Sequence, residues 1–501
     1  MDYKTINPKS VADKSSKENF ESAIRMAIEL ESEAVRRNTD TFNRNRYKAV
    51  ADIEDYKALK DRARAIKEES IASTPQLVEE LKQQITKRGG RFYLAKNAAD
   101  ANEYIKNVCL KHNAELVVKA KSMTSEETKL NRVLQEAGIE VAETDLAEFI
   151  LQVADEQPSH IVAPAIHRTR ERIAKLFKEK FHPDEPLESG EELTVFARSR
   201  LRKKFLNADV GISGANLIAA DTGTIVLVES EGNIRMTTTL PPVHIALAGV
   251  EKIIKRRADI PIFIELLAPS GTGQPLTSYT NILRPPLKLP VYDFKGGRKA
   301  EEREFHLVLL DNGRMTMRDD AVIKEALYCI RCSACLNVCA NFQTLGGHAF
   351  GGETYSGGIG SVWEAGTSRL ENARFADLCT GCSRCINQCP VRIDIPWLTE
   401  NIRSRLNVME KDYAASFLSR FMPTAAEDRH SSLQKQFFAN YYFFARLGSL
   451  LAPLSNWFSS LTVSRRLMSL LFSVDKRRKL PQFKKETLIA QYKKMSGEIN
   501  E

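Results

Sequence analysis

The first sixty residues carry apolar positions at helical spacing within a strongly polar background. In the segment 21–35, ESAIRMAIELESEAV, apolar residues recur every three or four positions, which is typical of an amphipathic helix. No cluster of chemically active residues accompanies this spacing. Residues 1–60 are therefore predicted to form a helical arm.

Beyond the arm, the pattern alternates between strand-like and helical segments. Short apolar runs at 114–120, 139–143 and 160–166 predict buried strands, and the segments between them predict helices. Thr124, with Glu127 three residues later, predicts a capping box at the start of one helix. Repeated strand–helix units favour a parallel sheet with crossover helices, so the predicted fold class is α/β.

The stretch 208–254 is rich in β-branched and apolar residues and is predicted to form hairpins. Turn residues at 221–223 (Asp-Thr-Gly) and 232–233 (Gly-Asn) separate its apolar segments. Together with the preceding strands and helices, this stretch is predicted to complete one α/β domain over residues 61–300.

Three residues of this domain are weak catalytic candidates. Glu229 and Glu231 lie in a short acidic turn that is similar to the one carrying the nucleophilic glutamate of CoA transferases. Glu-Gly-Asn between two strands is also simply a good hairpin turn. His167 follows the run 160–166, and ligands gather at the carboxyl ends of strands in open α/β sheets. Its alternative is a local hydrogen bond at a helix N-terminus.

The cysteines are the strongest chemical signal in the sequence. Eight of the nine form two runs with the spacing C-x2-C-x2-C-x3-C. The ninth, Cys109, lies at helical spacing from apolar residues and is predicted to be a small buried hydrophobe. The second run ends in Cys-Pro, whereas the first ends in Cys-Ala. The first run is Cys329, Cys332, Cys335 and Cys339, and the second is Cys379, Cys382, Cys385 and Cys389.

This spacing predicts two [4Fe–4S] clusters in a ferredoxin-like domain over residues 301–400. Thiolates hold iron–sulfur clusters, and in two-cluster ferredoxins the fourth cysteine of each run ligates the other cluster. Zinc is the weaker alternative, because structural zinc usually takes paired C-x2-C knuckles or mixed Cys/His sets. The predicted ligands are Cys329, Cys332, Cys335 and Cys389 for cluster 1, and Cys379, Cys382, Cys385 and Cys339 for cluster 2.

The segment between the two cysteine runs is unusually rich in glycine. Residues 346–360 contain seven glycines and predict a loop whose backbone could approach a cofactor closely. His348 lies in this segment. It could hydrogen-bond a cluster or serve a proton step, or it could be an ordinary loop histidine.

Charge separates the last hundred residues from the rest of the chain. Residues 401–501 contain 17 Lys and Arg against 8 Asp and Glu, an excess equal to the net charge of +9 of the whole 501-residue chain. The neutral remainder argues against nucleic-acid binding along the chain. Residues 401–501 are also aromatic, and we predict a helical extension that packs on its own protein, docks a partner or touches a membrane surface.

Targeting and nucleotide-binding patterns are absent from the sequence. The N-terminus lacks the apolar run of a secretory signal, and no stretch of about 18 uniformly apolar residues occurs. We therefore expect a cytoplasmic protein, with peripheral contact to the inner face of the membrane as an alternative. Neither G-x-G-x-x-G after a strand nor G-x-x-x-x-G-K-[ST] occurs, so the sequence predicts no flavin or nucleotide site.

In these features the chain resembles the bacterial lactate utilisation protein B family. The resemblance rests on the order of α/β domain, twin cysteine runs and aromatic helical tail, and on the segments KSMTSEE (121–127) and GANLIAADTGTIVL (214–227). It implies an N-terminal fold similar to the sugar-phosphate isomerase and CoA-transferase group. It also implies that the cysteine domain is similar to the helical two-cluster ferredoxins of succinate dehydrogenase and heterodisulfide reductase subunits.

In function, the resemblance implies an iron–sulfur electron-transfer component of a system that oxidises L-lactate to pyruvate together with two partner proteins. The alternative is a stand-alone enzyme that handles a hydroxy acid or thioester in the α/β domain. A third hypothesis gives the clusters a purely structural role.

Overall fold

The computed structural model describes residues 17–185, 187–291, 303–409, 437–438, 440–472 and 474–498. The chain divides into two compact units, Met1–Arg403 and Ser404–Glu501. Strands are Arg91–Ala95 (β1), Leu116–Lys119 (β2), Glu140–Glu143 (β3), Val210–Ser213 (β4), Leu217–Ala219 (β5), Thr224–Glu229 (β6), Val243–Gly249 (β7), Ile253–Ile254 (β8), Tyr279–Leu283 (β9) and Glu304–Leu310 (β10).

Helices make up most of the remaining described chain. Those before the cysteine runs are Lys17–Leu30 (α1), Ser32–Ala51 (α2), Tyr56–Ala72 (α3), Thr74–Lys87 (α4), Ala98–Lys111 (α5), Met123–Glu127 (α6), Leu130–Glu136 (α7), Leu146–Ala154 (α8), Arg170–Phe181 (α9), Gly190–Asn207 (α10), Asn233–Thr239 (α11), Ile260–Gly271 (α12) and Arg314–Asp319 (α13). Later helices are Ala334–Asn337 (α14), Ala340–Ala349 (α15), Gly357–Thr367 (α16), Ile395–Met409 (α17), Tyr441–Leu450 (α18), Leu454–Ser460 (α19), Thr462–Phe472 (α20) and Leu488–Glu498 (α21). Short 3-10 helices cover Val250–Lys252, Arg257–Asp259, Ile323–Tyr328 and Leu370–Leu378.

A six-stranded parallel sheet forms the centre of the first unit. Its strand order is β1-β10-β7-β4-β2-β3, and every neighbouring pair is parallel. Within it, Val308 of β10 pairs with Tyr93 on one side and Leu247 on the other. The predicted α/β class with a parallel sheet is confirmed, and the runs 114–120 and 139–143 supply β2 and β3.

The sheet continues beyond the predicted end of the α/β domain. The boundary that we predicted at residue 300 lies in 292–302, outside the described residues. Strand β10 starts at Glu304 and is inserted between β1 and β7. The sheet therefore takes one of its central strands from the segment that we assigned to the ferredoxin-like domain.

Side chains of the central strands alternate between two apolar cores. Val308 and Leu310 face one core, and Leu307 and Leu309 face the other, because successive side chains of a strand point to opposite sides. Cys109 is fully buried in the first core, as predicted, and burial raises the pKa of its thiol to about 12.

A smaller sheet of order β8-β5-β6-β9 confirms one predicted hairpin and corrects the other. β5 and β6 are antiparallel around residues 221–223, where Gly223 adopts a left-handed φ of 66°. At 232–233, however, the chain enters helix α11 instead of turning into a hairpin. The Glu229 carboxylate accepts the backbone N–H groups of Ile234 and Arg235, which stabilises the start of that helix.

The predicted strand over 160–166 is wrong, because this segment forms bends and turns. His160 Nδ1 accepts hydrogen bonds from the backbone N–H groups of Val162 (3.2 Å) and Ala163 (3.0 Å). These bonds satisfy the backbone locally, so the apolar run needs no neighbouring strand.

The predicted capping box of Thr124 and Glu127 is also wrong. Ser122 is the N-cap of α6, and its hydroxyl accepts a hydrogen bond from the Ser125 N–H at 3.4 Å. Glu127 instead directs its carboxylate to the buried Arg314 guanidinium, which is a stronger partner than a backbone N–H.

The glycine-rich segment is helical only at its two ends, so the loop predicted over residues 346–360 is reduced to the seven residues 350–356. α15 extends to Ala349 and α16 begins at Gly357, so the connection is short. A Cβ atom on Gly347 would lie 1.9 Å from the Ser159 carbonyl oxygen. At this position, glycine permits close packing between the helix and the turn at 159.

The described part of the predicted arm is helical, as the spacing of its apolar residues indicates. Ala27 of α1 and Val35 of α2 share an apolar cluster with Phe342 and Leu345 of α15. The arm therefore packs against the segment that follows the first cysteine run. Residues 1–16 lie outside the described residues.

In its described part, the second unit consists of helices with many exposed apolar side chains. The Asn456 side chain holds the Phe483 backbone with two hydrogen bonds of 2.8 and 2.7 Å. Trp457 is 64% exposed and Leu470 is 81% exposed. Among the described helices, none has the length and apolar character needed to span a membrane.

Candidate iron–sulfur centre

The two cysteine runs fold in the same way. A short 3-10 helix ends immediately before the first cysteine of each run. The Cys329 N–H then donates to the Ala326 carbonyl at 3.1 Å, and the Cys379 N–H donates to the Ala376 carbonyl at 3.0 Å. The repeated sequence spacing is thus also a repeated backbone geometry.

Both runs place left-handed residues at matching positions. In the first run these are Arg331 (φ 59°) and Ser333 (φ 68°), and in the second they are Gly381 (φ 65°) and Ser383 (φ 62°). Three of the four are not glycine, and such strained backbone is characteristic of functional sites. In the first run, the turn directs the Arg331 N–H to Cys329 Sγ at 3.3 Å.

The fourth cysteine of the second run lies with the first three cysteines of the first run. Cys389 interacts electrostatically with Cys329, and the thiols of Cys332 and Cys335 interact with Cys389. Burial raises the pKa of Cys389 to about 11. These four cysteines, Cys329, Cys332, Cys335 and Cys389, are called set 1.

The fourth cysteine of the first run has the reciprocal position. Cys339 interacts with Cys379 and Cys382, and Cys385 interacts with Cys339. Burial raises the pKa of Cys385 to about 12. These four cysteines, Cys339, Cys379, Cys382 and Cys385, are called set 2. The two sets are adjacent, because Cys335 of set 1 also interacts with Cys385 of set 2.

The chemistry of the eight thiols fits iron–sulfur ligation. None of them forms a disulfide, and each set offers four sulfur donors, the usual number for a [4Fe–4S] cluster. Buried thiols with raised pKa values hold their protons at neutral pH unless a cation displaces them. Cationic iron bound by these thiols would supply the charge that allows buried thiolates to persist.

The two sets differ in exposure. Cys332 and Cys389 of set 1 are 7% and 6% exposed, whereas Cys382 of set 2 is exposed. Set 2 is therefore the set that solvent and small reagents can reach.

An iron chelator added anaerobically should remove a cluster from set 2 before set 1. We expect iron release in two phases, because the chelator must approach through solvent and only set 2 has an exposed ligand at Cys382. Iron release and the EPR spectrum of the reduced protein should be followed together. Release in one phase, with both EPR signals declining in parallel, would contradict this order.

Two buried lysines interact electrostatically with Cys329. Burial lowers the pKa of Lys67 to about 8 and, together with Arg331, lowers the pKa of Lys252 to about 7, while Glu251 and, less strongly, Cys329 raise the pKa of both. Lys67 Nζ also donates to the Glu251 carbonyl. When these lysines carry their protons, they stabilise negative charge on set 1.

A buried ion network connects the first cysteine run to the α/β domain. The Glu251 carboxylate contacts Arg314 Nε at 2.6 Å and an Arg331 guanidinium nitrogen at 2.8 Å. Arg314 also pairs with Glu127 at 2.7 Å, and the Tyr355 hydroxyl donates to Glu127. The sequence alone did not predict this network. Its one hint was that Glu127 lies in the segment 121–127, which carries the family resemblance but was given no role by it.

Basic residues of helix α3 hold the backbone within and just after the second run. Lys60 Nζ donates to the Asn387 carbonyl at 2.9 Å, and Arg64 donates to the Arg392 carbonyl at 3.0 Å. Helix α3, which contains the end of the arm, thus has a structural role at the cluster centre that the sequence did not indicate. No local pattern distinguishes these side chains from ordinary charged residues of a helix.

Hydrogen bonds to neighbouring residues engage the Glu229 carboxylate. Besides the N–H groups of Ile234 (2.6 Å) and Arg235 (3.2 Å), it accepts a hydrogen bond from Asn281 Nδ2 at 2.7 Å. The nearby Glu231 is at the surface, and desolvation of its carboxyl group and the charge of Asp145 raise the pKa of that carboxyl.

His167 and His348 lie side by side, and neither has the local structure that the sequence predicted. Their rings are 4.6 Å apart, and His348 is in helix α15 and not in a loop. His167 Nε2 contacts Glu156 at 3.0 Å. It follows turns instead of a strand, so the argument from the end of a strand does not apply to it.

Family models match the two halves of this architecture. Residues 78–310 match the LUD domain, and residues 325–393 match the 4Fe-4S dicluster domain. The first match ends at the last residue of β10, and the second contains all eight cysteines of sets 1 and 2.

Similar proteins share most of the chain. Lactate utilization protein B of Bacillus subtilis is 40% identical over 375 residues, covering 73% of this chain and 74% of that protein. The chain belongs to the lactate utilization protein B family. Another member of that name, from Bacillus velezensis, is 38% identical over 73% of this chain and 75% of its own. The uncharacterized electron transport protein YkgF of Escherichia coli is 38% identical over 407 residues, covering 80% of this chain and 83% of its own.

Membership in the lactate utilization protein B family confirms two predictions. The family resemblance inferred from the sequence is correct, and the match to a dicluster domain supports two [4Fe–4S] clusters as the cofactors. The assignment of individual cysteines to each cluster stays a prediction.

Proposed function

We propose that this chain is an iron–sulfur electron-transfer component of a multi-protein system that oxidises L-lactate to pyruvate. The observation that supports this function most is the adjacency of two four-cysteine sets in a chain whose relatives are named for lactate utilization and electron transport. A bound [4Fe–4S] cluster accepts and donates one electron at a time, so two clusters suit the two electrons that leave lactate.

In this proposal, the chain's own residues provide the sulfur donors and their surroundings. Set 1 (Cys329, Cys332, Cys335 and Cys389) binds one cluster, and set 2 (Cys339, Cys379, Cys382 and Cys385) binds the other. The Arg331 N–H, which donates to Cys329 Sγ, stabilises negative charge on set 1. Lys60 fixes the backbone of the second run, and Arg64 fixes the backbone just after it.

Exchange of electrons with a partner protein takes place at set 2 in this proposal. Cys382 is exposed, whereas set 1 lies against the ion network of the α/β domain. We propose two partner proteins from the same lactate-utilisation system and a cytoplasmic location. The exposed apolar and basic surface of residues 440–472 suits docking to a partner or peripheral contact with the inner face of the membrane.

The alternative is a stand-alone enzyme that handles a hydroxy acid or thioester in the α/β domain. Its best nucleophile, Glu229, already accepts three hydrogen bonds and is only 5% exposed. These contacts disfavour covalent chemistry at this carboxylate, because an attacking oxygen must be accessible.

Anaerobic reconstitution followed by redox titration distinguishes the two functions. For the electron-transfer component, we expect two reducible clusters and negligible lactate oxidation by the isolated chain with an artificial acceptor. Oxidation should appear when the partner proteins are added. Turnover of lactate by the isolated chain would favour the stand-alone enzyme, and clusters that resist reduction would favour a structural role.

A further inference from the structure

Three segments that are far apart in the sequence bring two histidines and a glutamate together. Glu31 lies between α1 and α2, His167 lies in the turns before α9, and His348 lies near the end of α15. One potential ligand atom from each residue lies within 4.8 Å of the other two. Glu31 and His167 are buried, with 7% and 3% of their surfaces exposed.

Two polar atoms in this cluster lack hydrogen-bond partners among the described residues. They are Glu31 Oε2 and His167 Nδ1, and both are buried. Buried polar atoms in proteins are nearly always satisfied, and the exceptions include atoms that bind an ion. The cluster thus offers an unused carboxylate oxygen and an unused imidazole nitrogen.

The far nitrogen of each imidazole faces an acceptor. His167 Nε2 is 3.0 Å from a Glu156 carboxylate oxygen, and His348 Nε2 is 2.8 Å from the Gln157 carbonyl oxygen. Arg168 fixes the Glu156 carboxylate through its Nε at 2.8 Å. Metal-binding histidines characteristically donate their second N–H to a carboxylate or backbone carbonyl, which fixes the tautomer and the ring orientation.

We propose that Glu31, His167 and His348 form a binding site for one divalent transition-metal ion of the zinc or ferrous type. Two imidazoles and one carboxylate are a ligand set suited to these ions. Both Nδ1 atoms and the Glu31 carboxylate would be the donors. The ion would replace the proton in the 2.7 Å contact between His348 Nδ1 and Glu31 Oε1.

Such an ion would cross-link three parts of the chain that are distant in sequence. Glu31 belongs to the N-terminal arm, His167 to the α/β domain, and His348 to the helix that follows the first cysteine run. The inference depends on this geometry alone and not on the proposed role in lactate oxidation.

The test uses the full-length protein with both clusters in place, stripped of loosely bound metal and then exposed anaerobically to Zn²⁺. We expect about one zinc ion per chain in addition to the cluster iron. Zinc X-ray absorption should show nitrogen and oxygen neighbours at about 2.0–2.1 Å and no sulfur at about 2.3 Å. A sulfur-containing shell, or the absence of stoichiometric uptake of Zn²⁺ and of Co²⁺ as a ferrous substitute, would overturn the site.

Variants separate the proposed ligands from residues that only contribute charge. H167A and E31Q should abolish stoichiometric uptake, and E156Q, which keeps the shape of the outer partner, should weaken zinc binding about 10–100-fold. His182→Asn is the matched control, because His182 is an exposed histidine at the end of α9 and Asn tolerates its left-handed backbone. Unchanged affinity in folded H167A and E31Q would contradict the proposal. If both variants unfold, two results test the site instead. They are the weaker zinc binding of E156Q and the nitrogen and oxygen shell in the zinc absorption spectrum of the unsubstituted protein.

Discussion

Replacing Cys389 by serine should remove the cluster bound to the first cysteine run and leave the cluster of the second run in place. Cys389 belongs to the second run in sequence but lies with Cys329, Cys332 and Cys335 in the structure. About half of the iron and acid-labile sulfide should be lost, because each [4Fe–4S] cluster holds half of the total. EPR of the reduced protein should retain the signal of the set 2 cluster and lose the magnetic coupling between the two clusters.

The reciprocal variant, Cys339→Ser, should remove the cluster of set 2 and preserve that of set 1. Cys109→Ala is the matched control, because Cys109 is buried in the core of the parallel sheet and should leave both clusters intact. Metal analysis and EPR on the three variants prepared side by side test the crossed pairing. Damage confined to the cluster of the substituted cysteine's own run would show that the pairing is not crossed.

The sequence predicted well those features that are determined by local periodicity or fixed spacing. Apolar runs gave β2 and β3, because a strand buried on both faces needs a short apolar segment whatever its neighbours are. Cysteine spacing predicted the cluster domain, since the ligand geometry of the metal constrains the chain directly. The hairpin at 221–223 was predictable because Gly223 alone carries the required left-handed backbone.

Predictions failed where a distant contact or a local hydrogen bond replaced the expected partner. The run 160–166 is as apolar as a strand, but His160 binds its backbone into turns and its side chains pack on the cluster region. Glycines at 346–360 suggested a loop. Residues 350–356 do form one, but the glycines on either side belong to helices, where Gly347 packs closely against the Ser159 carbonyl. Propensity is overridden in both cases by tertiary packing.

The buried ion network could not be predicted, because its members are separated by long stretches of sequence. Glu127, Glu251, Arg314 and Arg331 each look like an ordinary surface charge when read locally. Their pairing follows from the sheet, which brings the end of β7 beside α13 and the first cysteine run. Charged pairs of this kind become visible only when the topology is known.

Replacing Glu251 by alanine should destabilise the first unit more than any change at a surface ion pair. Burial acts to raise the pKa of this carboxyl, but Arg314 and Arg331 lower it to about 2. Removing one partner of a buried pair leaves uncompensated charge, which costs about 3–5 kcal/mol. Two buried guanidinium groups would lose their shared partner here, so the midpoint of thermal unfolding should fall markedly.

The matched control is Glu69→Ala, which removes an exposed ion pair with Lys255 at 2.6 Å. Exposed pairs contribute about 0–1 kcal/mol, so this variant should unfold close to the unsubstituted protein. Glu251→Gln adds a second measurement on a side chain of nearly the same shape. It removes the charge that pairs with the Arg331 guanidinium, and the Arg331 N–H donates to Cys329 Sγ. The uncompensated guanidinium should raise the reduction potential of the set 1 cluster and leave that of set 2 nearly unchanged. Equal destabilisation by the Glu69 and Glu251 variants, together with unaltered potentials, would show that the network neither joins the two domains energetically nor acts on the cluster.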